Sequence, residues 1–305
     1  MSALFLEMGL VFALIFIQPC LISAQEPAPT PVAVSILPQR YFLEKIGGKL
    51  VQIEVMVPPG TEMEAYEPRP GQMSALSRAK IYFALGVPFE TVWLPKIVGL
   101  NPKILVVHTD KEIKRRPIEA DSHPGEVSNQ LYGRAGPQGE GDDPHIWLSP
   151  PLVILQARAI FEALAAIDSA NRDSYESNYR QFVSELVELD IYISRLFADG
   201  SKPRPFMVFH PAWGYFANAY GLKQVPVQVE GREPRAKELD GFIKRAQELG
   251  TKIIFIEPQY SPKIAHTIAD AIGGSLVEAD DLAPDWEKNL RRVAEQIKTA
   301  VSSEQ

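Results

Sequence analysis

The chain has 305 residues, 46% of them hydrophobic and 23% charged, enough to fill the cores of one or two globular domains. Its formal net charge is −7 and it carries no basic tract, which argues against nucleic acid as a partner. The single cysteine, Cys20, excludes an intramolecular disulfide framework.

Leu10–Ile17 is a short apolar run followed by the small residues Ser23 and Ala24. This is the pattern of a secretory signal over residues 1–24, too short for a comfortable membrane span. The leading MSALFLE lacks Lys and Arg, and Cys20 follows Gln18-Pro19 rather than the small residues of a lipoprotein site. Export with a cleaved signal is the favoured reading, and an uncleaved anchor is the alternative.

Residues 25–31, QEPAPTP, form a Pro-rich tether with little to bury. Strand and helix patterns then alternate. Strands are expected at Val32–Ile36, Leu50–Val57, Ile81–Leu85 and Ile104–Val107. Helices are expected at Gln39–Ile46, closed by Gly47-Gly48, and at Gly71–Ala79 and Phe89–Val98. This alternation favours a largely parallel sheet. Thr109–Asp142 breaks the rhythm with Gly, Pro and charge, and reads as a long mobile loop. Pro151–Ile167 is a helix.

Asn171–Asp199 organises the whole. Tyr175, Tyr179, Phe182, Leu186, Leu189, Ile193 and Leu196 recur at steps of four and three, one stripe of an α-helix. Val183, Val187, Ile191, Tyr192 and Phe197 widen that stripe. With no Gly or Pro before Gly200, a rod of roughly 40 Å follows at about 1.5 Å per residue. It reads as a linking helix, 171–199, between an N-terminal lobe, 32–170, and a C-terminal lobe, 200–305. In the second lobe strands are expected at Phe206–Phe209, Gln224–Val229, Ile253–Ile256 and Ser275–Glu278. Helices are expected at Ala212–Tyr220, Pro234–Leu249, Pro262–Ile272 and Trp286–Val301. The expected fold is thus α/β, with two largely parallel-sheeted lobes on one long helix.

Ligands of open parallel sheets gather beyond the carboxyl ends of the strands. Those loops hold Glu62, Glu64 and Glu67; Asp142, Asp143 and His145; His210; Glu257; and Asp280 with Asp281. Imidazoles and carboxylates from both lobes are the donor set of a first-row divalent cation.

The segments PPGTEMEAYEPRPGQ (58–72), DPHIWLSP (143–150), FHPAWGYFANAYGL (209–222), EGREPRAKEL (230–239), FIEPQYSPKIA (255–265) and VEADDLA (277–283) resemble the solute-binding proteins of zinc and manganese ABC importers, the ZnuA/TroA-like group. The resemblance covers the mature chain in order. It implies two lobes on one helix with the metal in the cleft between them, zinc (Zn2+) or manganese (Mn2+) as transported cargo, an ABC importer permease as partner, a periplasmic or extracytoplasmic location and a monomer. It also implies a metal site of Glu64, His145, His210 and Asp280. Glu64 stands where family members carry a histidine, and a carboxylate leans toward manganese or iron where imidazole leans toward zinc. In the 109–142 loop, zinc-type members carry a His-rich stretch where this chain has only His123. His108 and His266 read as structural or surface residues. A metal-dependent hydrolase with Glu257 or Glu62 as base is the competing class, but no HExxH helix, nucleophile elbow or phosphate-cradling Gly loop accompanies it.

Overall fold

The computed structural model describes residues 28–63, 65–118, 142–198, 203–228 and 236–302. The first lobe carries β1 (Thr30–Val34), α1 (Leu37–Gly47), β2 (Val51–Val55), α2 (Pro70–Leu76), β3 (Ile81–Ala84), α3 (Pro88–Leu100), β4 (Leu105–His108) and α4 (Pro150–Ile167). After α5 (Arg172–Phe197), the second lobe carries β5 (Arg204–Val208), α6 (Gly214–Ala219), β6 (Leu222–Pro226), α7 (Ala236–Glu248), β7 (Ile253–Ile256), α8 (Pro262–Ala271), β8 (Ser275–Glu278) and α9 (Trp286–Ser302).

Each lobe has one four-stranded sheet, ordered β2-β1-β3-β4 and β6-β5-β7-β8, and every strand pair is parallel. The same winding occurs twice without a close internal sequence repeat. The central strands read as apolar runs, such as the fully buried IYFA of β3, the pattern of parallel sheets.

The linking helix α5 runs for 26 residues, within the expected range. It buries Tyr175, Phe182, Leu186, Leu189, Ile193 and Phe197, each worth about 1.5–3 kcal/mol when withdrawn from water. The stripe is narrower than expected. Val187 and Ile191, one turn apart, face solvent instead of widening it. The helix α5 packs on α1, α4 and α9, with Asn178 bonded to Ile46 O of α1, Tyr179 stacked on Phe161 of α4 and Tyr192 bonded to Glu295 of α9. One core therefore runs through both lobes: Phe42 of α1 packs on Phe182 of α5 and on Trp286 of α9. The helix α4 is apolar enough by length and composition to cross a membrane, but Val153, Ile160 and Leu164 lie in this core.

Some boundaries move. The strand β1 starts at Thr30, inside the segment expected as tether, because Thr30 and Pro31 pair in register with Val51 and Gln52. The expected helix at 212–220 divides into a 3₁₀ turn over Pro211–Trp213 and the short α6. At the end of α1, Gly48 adopts φ +52°, the left-handed conformation that explains a glycine after the last helical turn. The loop expected at Thr109–Asp142 is described only at its ends, where Pro117 and Asp142 form an antiparallel bridge. His123 lies outside the described residues.

Beneath the first sheet's carboxyl end lies a buried carboxyl. Glu90 accepts hydrogen bonds from the Leu85 and Gly86 N–H groups at 2.9 and 2.7 Å and from the Ser35 hydroxyl. Burial pushes its pKa up to about 7 against the pull of those donors, and the Asp110 charge adds to the rise. The folded chain therefore holds a proton that the unfolded chain loses near pH 4.5. Stability falls as pH rises between these values, by about 3 kcal/mol in full. Glu90→Gln should flatten that decline between pH 4.5 and 7.5, as urea unfolding of both proteins would measure. A difference between them that does not vary with pH would show Glu90 ionised throughout.

Candidate metal centre

The carboxyl ends of the second sheet carry a row of polar residues side by side. His210 lies just past β5, Gln228 past β6, Glu257 past β7 and Asp280-Asp281 past β8. Backbone bonds extend the ladder into these loops: Gln228 N–H donates to Phe209 O at 2.9 Å and Ala279 N–H to Ile256 O at 2.9 Å. From the first lobe, His145 enters on the short segment that leads through a 3₁₀ turn, Ile146–Leu148, into α4.

The two imidazoles meet. His145 Nε2 and His210 Nε2 are 3.2 Å apart, both rings are buried, and their planes are inclined at 75°. The other nitrogen of each ring is held by an acceptor. His145 Nδ1 lies 2.8 Å from Asp143 Oδ1, and His210 Nδ1 lies 2.7 Å from Gln228 Oε1. Each Nδ1 then carries a proton, and in the neutral ring form Nε2 is left as a bare lone pair. Two lone pairs facing each other cannot bond to one another. Their separation fits two nitrogens bound to one tetrahedral zinc at about 2.0–2.1 Å, which lie roughly 3.3 Å apart.

The surroundings fix both rings and hold His210 neutral. Burial, then the neighbouring His145, lowers the His210 pKa to about 3 against the opposing pull of Gln228. Tyr260 packs on the His210 ring with centroids 5.1 Å apart. Asp143 also accepts the His145 N–H at 2.9 Å. Gly214 is required beside it, because a Cβ there would sit 2.7 Å from Asp143 Oδ2. Tyr215 spans the lobes, donating to Asp143 O at 3.0 Å and accepting from Arg116 N–H at 3.1 Å.

The expected ligands fare differently. His145 and His210 converge as expected. Glu64 lies outside the described residues, while Glu62 and Glu67 are exposed. Asp280 is half-buried. Its Oδ1 accepts from Leu282 N–H at 2.9 Å, and burial, then Glu278, raises its pKa while Leu282 N–H and Arg292 lower it. The carboxyl that turns inward is that of Asp281, which is 1% exposed and accepts from Gln259 Nε2 at 2.8 Å. Glu257, also buried, accepts from His210 N–H at 3.4 Å. Burial, then the Asp281 charge, pushes Glu257 well above the usual carboxylate range. Its Oε1 makes no hydrogen bond, and the Trp213 indole lies beside it outside hydrogen-bond geometry. Among the described residues no three His, Cys, Asp or Glu side chains gather closely enough to hold an ion, so the imidazole pair is the described part of the site. His108 and His266 are exposed. Gln228, unlike Asp143, was missed by a search confined to imidazoles and carboxylates. Its place past a parallel strand was the available signal.

Two parallel-sheet lobes on one helix, with a facing imidazole pair between them, define a cleft-type metal-binding protein. Residues 32–300 match the family model described as ZnuA, zinc-uptake complex component A, periplasmic, and the chain belongs to that family. It is 28% identical over 247 residues to the high-affinity zinc uptake system protein ZnuA of Bacillus subtilis (strain 168), covering 79% of this chain and 75% of that one. A crystal structure of ZnuA superposes with a TM-score of 0.79 at 40% identity, covering 89% of this chain and 99% of the other. A zinc-bound ZnuA lacking its residues 138–173 gives 0.78 at 40% identity, covering 90% and 98%.

Removing a residue that merely supports a ligand costs about 10–100-fold in metal affinity. His145→Ala and His210→Ala should each cost more than that by competition titration with zinc, and His108→Ala and His266→Ala should change affinity less than about threefold. Equal losses from all four would mean that the cleft imidazoles are not ligands.

Proposed function

We propose that this protein captures a divalent transition metal between its lobes, zinc in preference to manganese or iron, outside the cytoplasmic membrane, and delivers it to the permease of an ABC importer. The observation that carries this reading is the pair of facing Nε2 atoms, one from each lobe, 3.2 Å apart with an acceptor behind each ring. Neutral imidazole is a favoured donor for zinc. Family membership supports the transport role, because the family is one of solute-binding transport components. The Bacillus subtilis relative is a high-affinity zinc uptake protein, and a ZnuA variant has been solved with zinc bound. The hydrolase alternative draws no support from these relatives.

Beyond the imidazole pair, we assign the remaining donors to Glu64 and to the Asp280-Asp281 loop. Glu64 supplies an oxygen where family members supply a third imidazole. Asp280 occupies the family's ligand position, and Asp281 is the inward alternative one residue on. Two imidazoles and two carboxylates neutralise a divalent ion.

Metal analysis of protein purified without added metal, followed by zinc and manganese competition titrations, tests the reading. One zinc per chain with no turnover on ester, phosphate or peptide substrates is the expected result. Glu64→Gln should lower zinc affinity by at least about tenfold, and Glu64→His should raise the zinc-to-manganese preference. If Glu64→Gln binds both metals like the wild type, Glu64 is not a ligand.

A further inference from the structure

Two buried indoles stitch the His145 segment to the Asp280-Asp281 loop. Trp147, two residues past His145, donates its Nε1–H to Asp281 O at 2.7 Å. Trp286, at the start of α9, donates its Nε1–H back to Trp147 O at 2.8 Å. The stretch from Asp281 to Trp286 is thus closed at both ends on one residue of the other lobe. Both indoles are fully buried, and the Trp147 ring also packs on the His145 ring with centroids 5.1 Å apart. From the first turn of α9, Asn289 Nδ2 donates to Asp280 O at 2.6 Å, so the carbonyls of both aspartates are held. Trp286 is fixed from behind by Phe42 and Tyr41 of α1, at centroid distances of 5.1 and 5.9 Å.

Packing alone does not account for this arrangement. A phenyl ring can fill an apolar core, whereas an indole N–H buried there requires an acceptor. Here both N–H groups are spent on backbone carbonyls of metal-site segments. Their directions fix the spacing between the segment that carries His145 and the segment that carries the two aspartates.

We propose that Trp147 and Trp286 are positioning residues for the metal site: their reciprocal indole–carbonyl bonds set the distance of the acidic loop from the imidazole pair and so determine how much carboxylate the metal receives. The inference rests on the capture function proposed above and adds the device that tunes its selectivity. Loosening the stitch withdraws oxygen donors and leaves the imidazoles. Manganese, which depends more on carboxylate, then suffers more than zinc.

The test compares wild type with Trp147→Phe, Trp286→Phe and Tyr41→Phe, each titrated with zinc, manganese and cobalt(II). The visible ligand-field bands of bound cobalt report coordination number and donor set. Both tryptophan variants should weaken manganese binding by about 10–100-fold, the range for residues that orient ligands. Their zinc-to-manganese preference should rise roughly tenfold and the cobalt bands should change shape. Tyr41→Phe loses its 3.2 Å bond to Glu287 and should lower thermal stability without altering preference or spectrum. If the tryptophan variants are too unstable to titrate, Asn289→Ala releases the Asp280 carbonyl from a partly buried position and should shift preference the same way. Variants that lose stability but keep wild-type bands and selectivity would reduce the indoles to packing and overturn the proposal. A wild type that takes up no stoichiometric metal would instead overturn the capture function itself.

Discussion

The structure turns on one electrostatic constraint. Two imidazole nitrogens from different lobes lie 3.2 Å apart, and the acceptors behind each ring, Asp143 Oδ1 and Gln228 Oε1, select the Nδ1–H tautomer, in which Nε2 is free to bind a metal. Without a shared electrophile the two lone pairs repel in a water-poor cleft. With a divalent cation between them the same geometry becomes favourable. Burial works in the same direction, since it holds His210 in its neutral, ligand-competent form. The site is thus arranged for a cation before any cation arrives, with its tautomers fixed by the residues behind the ligands.

The fold supplies the rigidity this requires. Each imidazole leaves a segment tied to a sheet edge or a helix start, and both lobes share one core with α5 and α9. The contacts of Phe42, Phe182 and Trp286 join the first lobe, the linking helix and the second lobe at one point. A continuous helix also resists the large dihedral changes that strand hinges absorb. Small tilts are therefore the expected movement of the lobes.

Much of this was legible in the sequence. The two-lobed α/β architecture and the linking helix followed from periodicity, and β7 and β8 occupy their expected residues because each is a short apolar run between turn residues. The meeting of His145 and His210 was legible in part: His210 follows a parallel strand, where ligands gather, whereas His145 lies on the approach to α4 and rested on the DPHIWLSP resemblance. What failed has physical reasons. The tether was read from its prolines, yet Pro31 pairs within β1, since its register with β2 outweighs its composition. Val187 and Ile191 carry the right residue type for a buried stripe and still face solvent, because periodicity does not give the width of the surface a helix meets. That Asp281 is buried beside Asp280, the residue expected as ligand, could not be read from adjacent identical side chains. It depends on which one the loop turns inward, and the Trp147 and Gln259 contacts that turn it come from distant parts of the chain.

The central claim is that both cleft imidazoles present an unprotonated Nε2 to a common metal. Long-range proton–nitrogen correlation spectra of histidine-labelled protein at neutral pH test it directly. The account predicts that metal-free His145 and His210 both carry the proton on Nδ1. One equivalent of zinc should then shift both Nε2 signals while those of His108 and His266 stay in place. A protonated Nε2 on either cleft histidine, or zinc uptake that leaves both Nε2 signals unmoved, would contradict it.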